Sequence, residues 1–207
     1  EGVLARFRAD LVLGHGDAPP PLAAGLAAFY PQIPLGHVEA GLRTGNLQAP
    51  FPEEMNRRLA GMLARHHFAP TERARDNLLA EGVAAERILV TGNTVIDALL
   101  TVVGRLRTDS DLQRQMAARS AFLDAHKQLV LVTGHRRENF GEGFARVCRG
   151  LRTLVATHPG VELVYPVHLN PQVQEPVGRL LGGQERVQLL APLDYLPFVA
   201  LMDRASP

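Results

Sequence analysis

Ile33-Pro34-Leu35-Gly36-His37-Val38-Glu39-Ala40-Gly41-Leu42-Arg43-Thr44-Gly45 begins as an apolar run and ends as a glycine-rich, charged loop. A short apolar run that breaks into turn residues is the mark of a strand buried on both faces. Upstream, Ala9-Asp10-Leu11-Val12-Leu13 runs in the same way into Gly14-His15-Gly16-Asp17, and an Ala-rich helix over Leu22 to Tyr30 connects the two. Downstream, a helix over Pro52 to Arg65 opens on proline, the favoured first position. His67-Phe68-Ala69 is the next strand, Thr71 caps a helix over Glu72 to Glu81, and Arg87 to Val90 is a strand ending in Thr91-Gly92-Asn93-Thr94. A helix over Val95 to Arg107 follows, and from Thr108 to Lys127 the strand signal lapses into a helix plus a connection. Alternation then resumes, with strands at Gln128–Thr133, Val161–Tyr165 and Val187–Leu190 and helices at Phe144–Thr157, Gln172–Leu181 and Leu196–Ala205. Apolar strands alternating with helices predict an α/β fold of parallel sheets covered on both faces. The break after Gly92 divides it into two doubly wound units, residues 1–92 and 93–207, with a cleft between them.

Composition narrows the function classes. At 46% hydrophobic the chain is too apolar for disorder, and at 207 residues it can bury about 70% of its unfolded surface. Lys and Arg number 22 against 21 acids, a balance that argues against a nucleic-acid protein resting on a basic face. Cys148 is the only cysteine, which excludes an intramolecular disulfide or a multi-cysteine zinc site and fits a reducing compartment such as the cytoplasm. The longest apolar stretches, such as Ile96 to Val103, fall short of the roughly 20 residues of a membrane span. The chain opens on Glu1 close before a strand and closes on Ser206-Pro207 directly after an apolar segment, so both ends read as cut.

In open parallel sheets ligands gather beyond the carboxyl ends of the strands. Five such ends carry Gly, acids, His or Arg, including Thr133-Gly134-His135-Arg136-Arg137-Glu138-Asn139 and Pro166-Val167-His168-Leu169-Asn170. Asp17 reads either as a base or ligand group or as an ordinary turn residue after Gly. Glu39, at an apolar strand end, reads as an acid/base carboxylate or as the ion-pair partner of Arg43. Glu53 and Glu54 open a helix, where the dipole favours acids, and on that ground both read as caps. His135, Arg136 and Arg137 form a cationic cluster suited to a phosphate or diphosphate, the alternative being a solvated turn paired with Glu138. His168 extends that anion surface. His66 and His67 face opposite ways on a strand and make a poor metal site. No His-Glu-x-x-His, Walker or Gly-x-Gly-x-x-Gly pattern occurs, so nothing points to a metal or a dinucleotide.

Taken together these strings resemble the bacterial non-hydrolysing UDP-N-acetylglucosamine 2-epimerases. The likeness runs through Gly36 to Gly45, Phe51-Pro52-Glu53-Glu54-Met55-Asn56-Arg57, Thr91 to Asp97, Thr133 to Asn139, Tyr165 to Pro171 and Tyr195-Leu196-Pro197-Phe198. It implies a glycosyltransferase B type fold of two Rossmann-like domains, both incomplete here. It also implies interconversion of UDP-N-acetylglucosamine (UDP-GlcNAc) and UDP-N-acetylmannosamine (UDP-ManNAc) without metal or nicotinamide. By the same resemblance Asp17, Glu39 and Glu53 are the acid/base carboxylates, His135 contacts the diphosphate, and Phe198 lies near the uracil. Arg136 and His168 match a second nucleotide-sugar site where UDP-GlcNAc acts as an activator, and the family is commonly homodimeric. The chain departs from the family in Ala18-Pro19-Pro20-Pro21, where threonines are usual, and in Leu193, where Gln is common. A first strand with a Gly-Thr-Arg-Pro loop and a segment after Ala205 that binds diphosphate and ribose are also absent from the 207 residues. The alternatives to an active epimerase are a catalytically incompetent fragment of one, a nucleotide-sugar-binding remnant, and, ranked below these, a glycosyltransferase on the same fold.

Overall fold

Pro34 decides where the first sheet begins. It has no N–H to give a ladder, so pairing starts at Leu35, and the neighbouring strand starts opposite it at Val12 rather than at Ala9. The computed structural model describes residues 2–134 and 140–205. It divides the chain into two units, Glu1–Asp97 and Ala98–Pro207.

The first unit runs α1 (Gly2–Phe7), β1 (Val12–His15), α2 (Pro19–Phe29), β2 (Leu35–Val38), α3 (Glu53–Leu63), β3 (His66–Ala69), α4 (Glu72–Ala80) and β4 (Ile88–Val90), then enters α5 (Thr94–Thr108). Helix α1 has no counterpart among the expected elements. The strands are parallel in the order β1-β2-β3-β4, and one row across the sheet is Gly14, His37, His67 and Ile88. Right-handed crossovers that always step the same way leave their helices on one face. Helices α2, α3 and α4 accordingly cover the face that buries Leu35, His37, His67, Ala69 and Ile88. The opposite face carries Leu13 at 61% exposure, Leu89 at 58%, and the half-buried Val38 and Phe68. Gly36 lies in the same row as Leu13, and a Cβ there would meet the Leu13 side chain at 2.7 Å. The proline run that departs from the resembled family forms the first turn of α2, where missing N–H groups cost nothing. Thr71 caps α4 as expected, accepting from the Ala74 N–H at 3.1 Å.

The second unit continues from α5 with α6 (Ser110–Arg119), β5 (Gln128–Leu131), α7 (Glu142–Thr157), β6 (Val161–Pro166), α8 (Pro171–Leu181), β7 (Val187–Leu190) and α9 (Tyr195–Arg204). Its strands are parallel in the order β5-β6-β7. Leu163 and Tyr165 pack with Phe144 and Cys148 of α7 and with Val173, Val177 and Leu181 of α8. The alternate residue Val164 packs on the other side with Leu129, Leu123 and Leu201 of α9. Helices therefore cover both faces of this sheet. Helices α5 and α6 join α9 in a third cluster through Leu106, Met116 and Val199.

Candidate active site

The carboxyl ends of β1 and β2 place their polar residues side by side. His15 pairs across the sheet with Val38, so Asp17 and Glu39 follow from adjacent strand ends. Glu39 has a φ of +67°, a conformation an L side chain adopts only at a cost of order 1 kcal/mol or more. Such strain, where observed, gathers at functional positions. The Glu39 carboxylate stands beside His15, with Oε2 3.7 Å from Nε2, and over Gly16, where a Cβ would lie 3.6 Å from Oε2. Arg43 is not its partner. That guanidinium forks onto Glu81 with two contacts of 2.7 Å and donates to the Leu42 carbonyl at 2.8 Å. The reading of Glu39 as the ion-pair partner of Arg43 is thereby overturned, because Arg43 spends its donors on Glu81 and the Leu42 carbonyl. Its hydrogen bonds hold the Glu81 carboxyl below the usual carboxylate range.

Helix α3 ties these strand ends together. Glu53 opens it, half-buried. Glu54, which reads as a cap from its place at the helix start, is instead fully buried in the first turn of α3. Its carboxylate accepts the Thr44 N–H at 3.1 Å and the Gly45 N–H at 3.3 Å, clamping the loop after β2 to the helix. A carboxylate removed from water needs partners, and Arg57 and Arg58 supply charge at 3.4 and 3.5 Å. Arg57 also pairs with the Asp17 carboxylate, and Asn56 donates to the Asp17 backbone carbonyl at 2.8 Å. Asp17 is thus gripped through side chain and main chain from one turn of α3.

Two histidines lie beneath the site. His37 is buried with Nε2 2.9 Å from the Gly16 carbonyl, which only accepts, so that nitrogen carries the proton. Desolvation lowers its pKa, assisted by the Arg43 charge, and the neutral ring steadies the Gly16–Asp17 turn. His67, its neighbour in the next strand, is pushed down to about 4 by desolvation, with His37 and Arg43 adding to the effect. His66 is exposed, so the two adjacent histidines do face opposite ways.

In the second unit His135 and Arg136 lie outside the described residues. Gly134, just before them, is held by the hydroxyl of buried Tyr165, which donates to its carbonyl at 2.7 Å. Burial pushes the Tyr165 phenol up to about 12, so it remains a donor. His168 is exposed after β6, and its Nδ1 accepts the Asn170 N–H at 3.1 Å. Phe198 is half-buried on α9. Leu193 packs with Leu190 and Leu201 in an apolar cluster. It also lines a cavity of about 390 Å³ with Met116, Phe122, Pro197 and Arg204, which includes none of the candidate residues. Among the described residues no three His, Cys, Asp or Glu side chains could hold a metal, and no helix is long and apolar enough to cross a membrane.

Residues 1–206 match the family model described as UDP-N-acetylglucosamine 2-epimerase. Among curated relatives the chain is 59% identical over 99% of its length to a probable UDP-N-acetylglucosamine 2-epimerase of Ralstonia nicotianae. It is 57% identical over 98% of its length to the UDP-N-acetylglucosamine 2-epimerase of Salmonella typhimurium. It covers 55% of the former and 54% of the latter, about half the length of the relatives it matches. The crystal structure of the Neisseria meningitidis UDP-GlcNAc 2-epimerase bound to UDP-GlcNAc superposes with a TM-score of 0.95 at 46% identity, over 99% of this chain and 55% of that one. The Methanocaldococcus jannaschii enzyme in complex with UDP-GlcNAc and UDP gives 0.78 at 28%, over 99% and 55%. Two parallel-sheet α/β units in the glycosyltransferase-B-like arrangement of elements, with acids at the strand ends, agree with these matches, and the chain belongs to the UDP-N-acetylglucosamine 2-epimerase family.

Proposed function

We propose that the protein carrying these residues interconverts UDP-GlcNAc and UDP-ManNAc by eliminating UDP across C1–C2 and adding it back through 2-acetamidoglucal. The observation that carries the reading is the Glu39 carboxylate, held in a strained backbone conformation beside His15 at the strand end next to Asp17's. The C2 proton is not adjacent to a carbonyl, so simple deprotonation and reprotonation at C2 is inaccessible, and its removal is coupled to departure of UDP from C1. A carboxylate takes the C2 proton, and the C–H pair forms the C1–C2 double bond. The C1–O bond breaks with its electrons leaving on the UDP phosphate oxygen. In the return step that oxygen attacks C1 while a carboxyl group delivers a proton to the opposite face of C2. Asp17, Glu39 and Glu53 share these proton transfers, each worth roughly 10²–10⁴ in rate. His135 steadies the diphosphate as negative charge develops there. Phe198 borders the uracil, while Arg136 and His168 serve a second UDP-GlcNAc site that activates the enzyme. The assembly is a cytoplasmic homodimer that uses neither metal nor nicotinamide.

The test is incubation of the full encoded protein with UDP-GlcNAc in D₂O, followed at C2 by NMR. Deuterium at C2 with appearance of the manno epimer is expected, and Glu39→Gln is expected to abolish both. Binding without exchange would leave only a nucleotide-sugar-binding protein, and sugar transfer to an acceptor would make it a glycosyltransferase.

A further inference from the structure

The network from Glu54 through Arg57 to Asp17 is more than the fold requires. A fully buried carboxylate is expensive, and replacing a buried ion network with well-packed apolar groups is often neutral or stabilising. Here Glu54 is 0% exposed and Arg57's side chain only 11%, yet the chain keeps both charges. The partners are also directional. Glu54 and Arg57 stand at i and i+3 on one face of α3, and Glu54 is itself fixed by the Thr44 and Gly45 N–H groups. Arg57 gives one terminal nitrogen to Glu54 and the other to Asp17, while its Nε finds no partner among the described residues. Such a guanidinium is held in one pose with one arm presented to the Asp17 carboxylate. The contact is specific to a side chain 40 residues upstream, beyond the reach of any capping or dipole role.

We infer that Arg57, locked by buried Glu54, is a positioning residue that fixes the carboxylate of Asp17 for its proton transfer. The inference rests on the proposed acid/base role of Asp17. In this role Arg57 acts through Asp17, the carboxylate its terminal nitrogen holds. The arrangement gives the acid a single orientation while α3 also holds its carbonyl through Asn56. A carboxylate displaced from productive geometry by about 1 Å loses on the order of 10²-fold in rate.

The experiment has two arms in the full encoded protein. In the first, the side-chain carboxyl ¹³C resonance and backbone amide of Asp17 are followed in Arg57→Gln, Glu54→Gln and the surface control Arg75→Ala, whose pairs with Glu72 and Asp76 are exposed. Arg57→Gln is expected to shift or broaden both signals with circular dichroism unchanged, and Arg75→Ala to leave them alone. In the second arm, Arg57→Gln lowers kcat for C2 exchange about 10²-fold with KM changed less than about threefold. Arg57→Lys or added guanidinium ion restores part of the loss. In an Asp17→Asn background, Arg57→Gln costs no more than about twofold further, because the group it acts through is gone. Equal losses with and without Asp17 would overturn the inference, as would unchanged Asp17 signals in the first arm. If the parent protein shows no exchange, the epimerase reading fails, and the first arm alone decides whether Arg57 fixes Asp17. Should Glu54→Gln fail to fold, Arg57→Gln carries both arms.

Discussion

His67 can take a proton only by charging a site already stripped of water and shared with His37 and Arg43. Its folded pKa of about 4 lies below the ordinary 6.5, so between those values the unfolded chain binds a proton that the folded one refuses. The contribution is intact above pH 6.5 and drains away as pH falls toward 4, by about 3 kcal/mol in all. His37 moves in the same direction. An NMR titration should find the His67 ring neutral down to about pH 4, with the urea midpoint falling between pH 7 and pH 4.5. A ring midpoint near 6.5 would refute this account. At this scale the strand ends were legible as the place where acids gather, although position alone left Asp17 open between a turn residue and a functional group. Glu54 and Arg57 were not legible. Two acids at a helix start read as caps by default, and the partner that gives Arg57 its meaning lies 40 residues away, outside any local pattern.

Gly41, in the loop after β2, lies directly against helix α4. Gly41 has a φ of +84°, and a Cβ there would fall 2.2 Å from the Ala74 carbonyl oxygen and 2.8 Å from its carbon. These are backbone atoms of a helix whose Ala74 and Leu78 pack with Ala40, Ala69 and Ile88, so α4 cannot retreat without opening the core. Gly41→Ala should therefore cost about 2–4 kcal/mol, overpacking added to backbone strain. Gly45→Ala, at φ +78° with open space around it, should cost only the strain, about 1 kcal/mol. Paired urea titrations check the difference, and equal losses would show that contact with α4 is not what matters. Element order was readable from alternating periods along the whole chain. Boundaries slipped where pairing partners decide them, as at Pro34, or where prolines usually read as turn enter a helix, as in α2. The short α1 carries no periodic signal of its own.

Across the whole molecule the two units differ in how their sheets are clothed. The second buries both faces, Leu163 and Tyr165 on one side and Val164 on the other. The first has helices on one side only among the described residues, and Leu13 and Leu89 stand open on the other. Sequence could not show this difference, since strands of either sheet read as the same apolar runs. For 207 residues that span about half the length of their curated relatives, the bare face is expected to set the chain's colloidal behaviour. Apolar side chains exposed on a sheet face attract dyes and other copies alike, and a net charge of +1 offers little repulsion to keep molecules apart. The purified 207-residue chain should bind an apolar fluorescent dye and scatter more light as its concentration rises. Leu13→Lys combined with Leu89→Lys should suppress both at little cost in folding stability, because neither side chain is buried. Unchanged dye binding in that variant would place the sticky surface elsewhere.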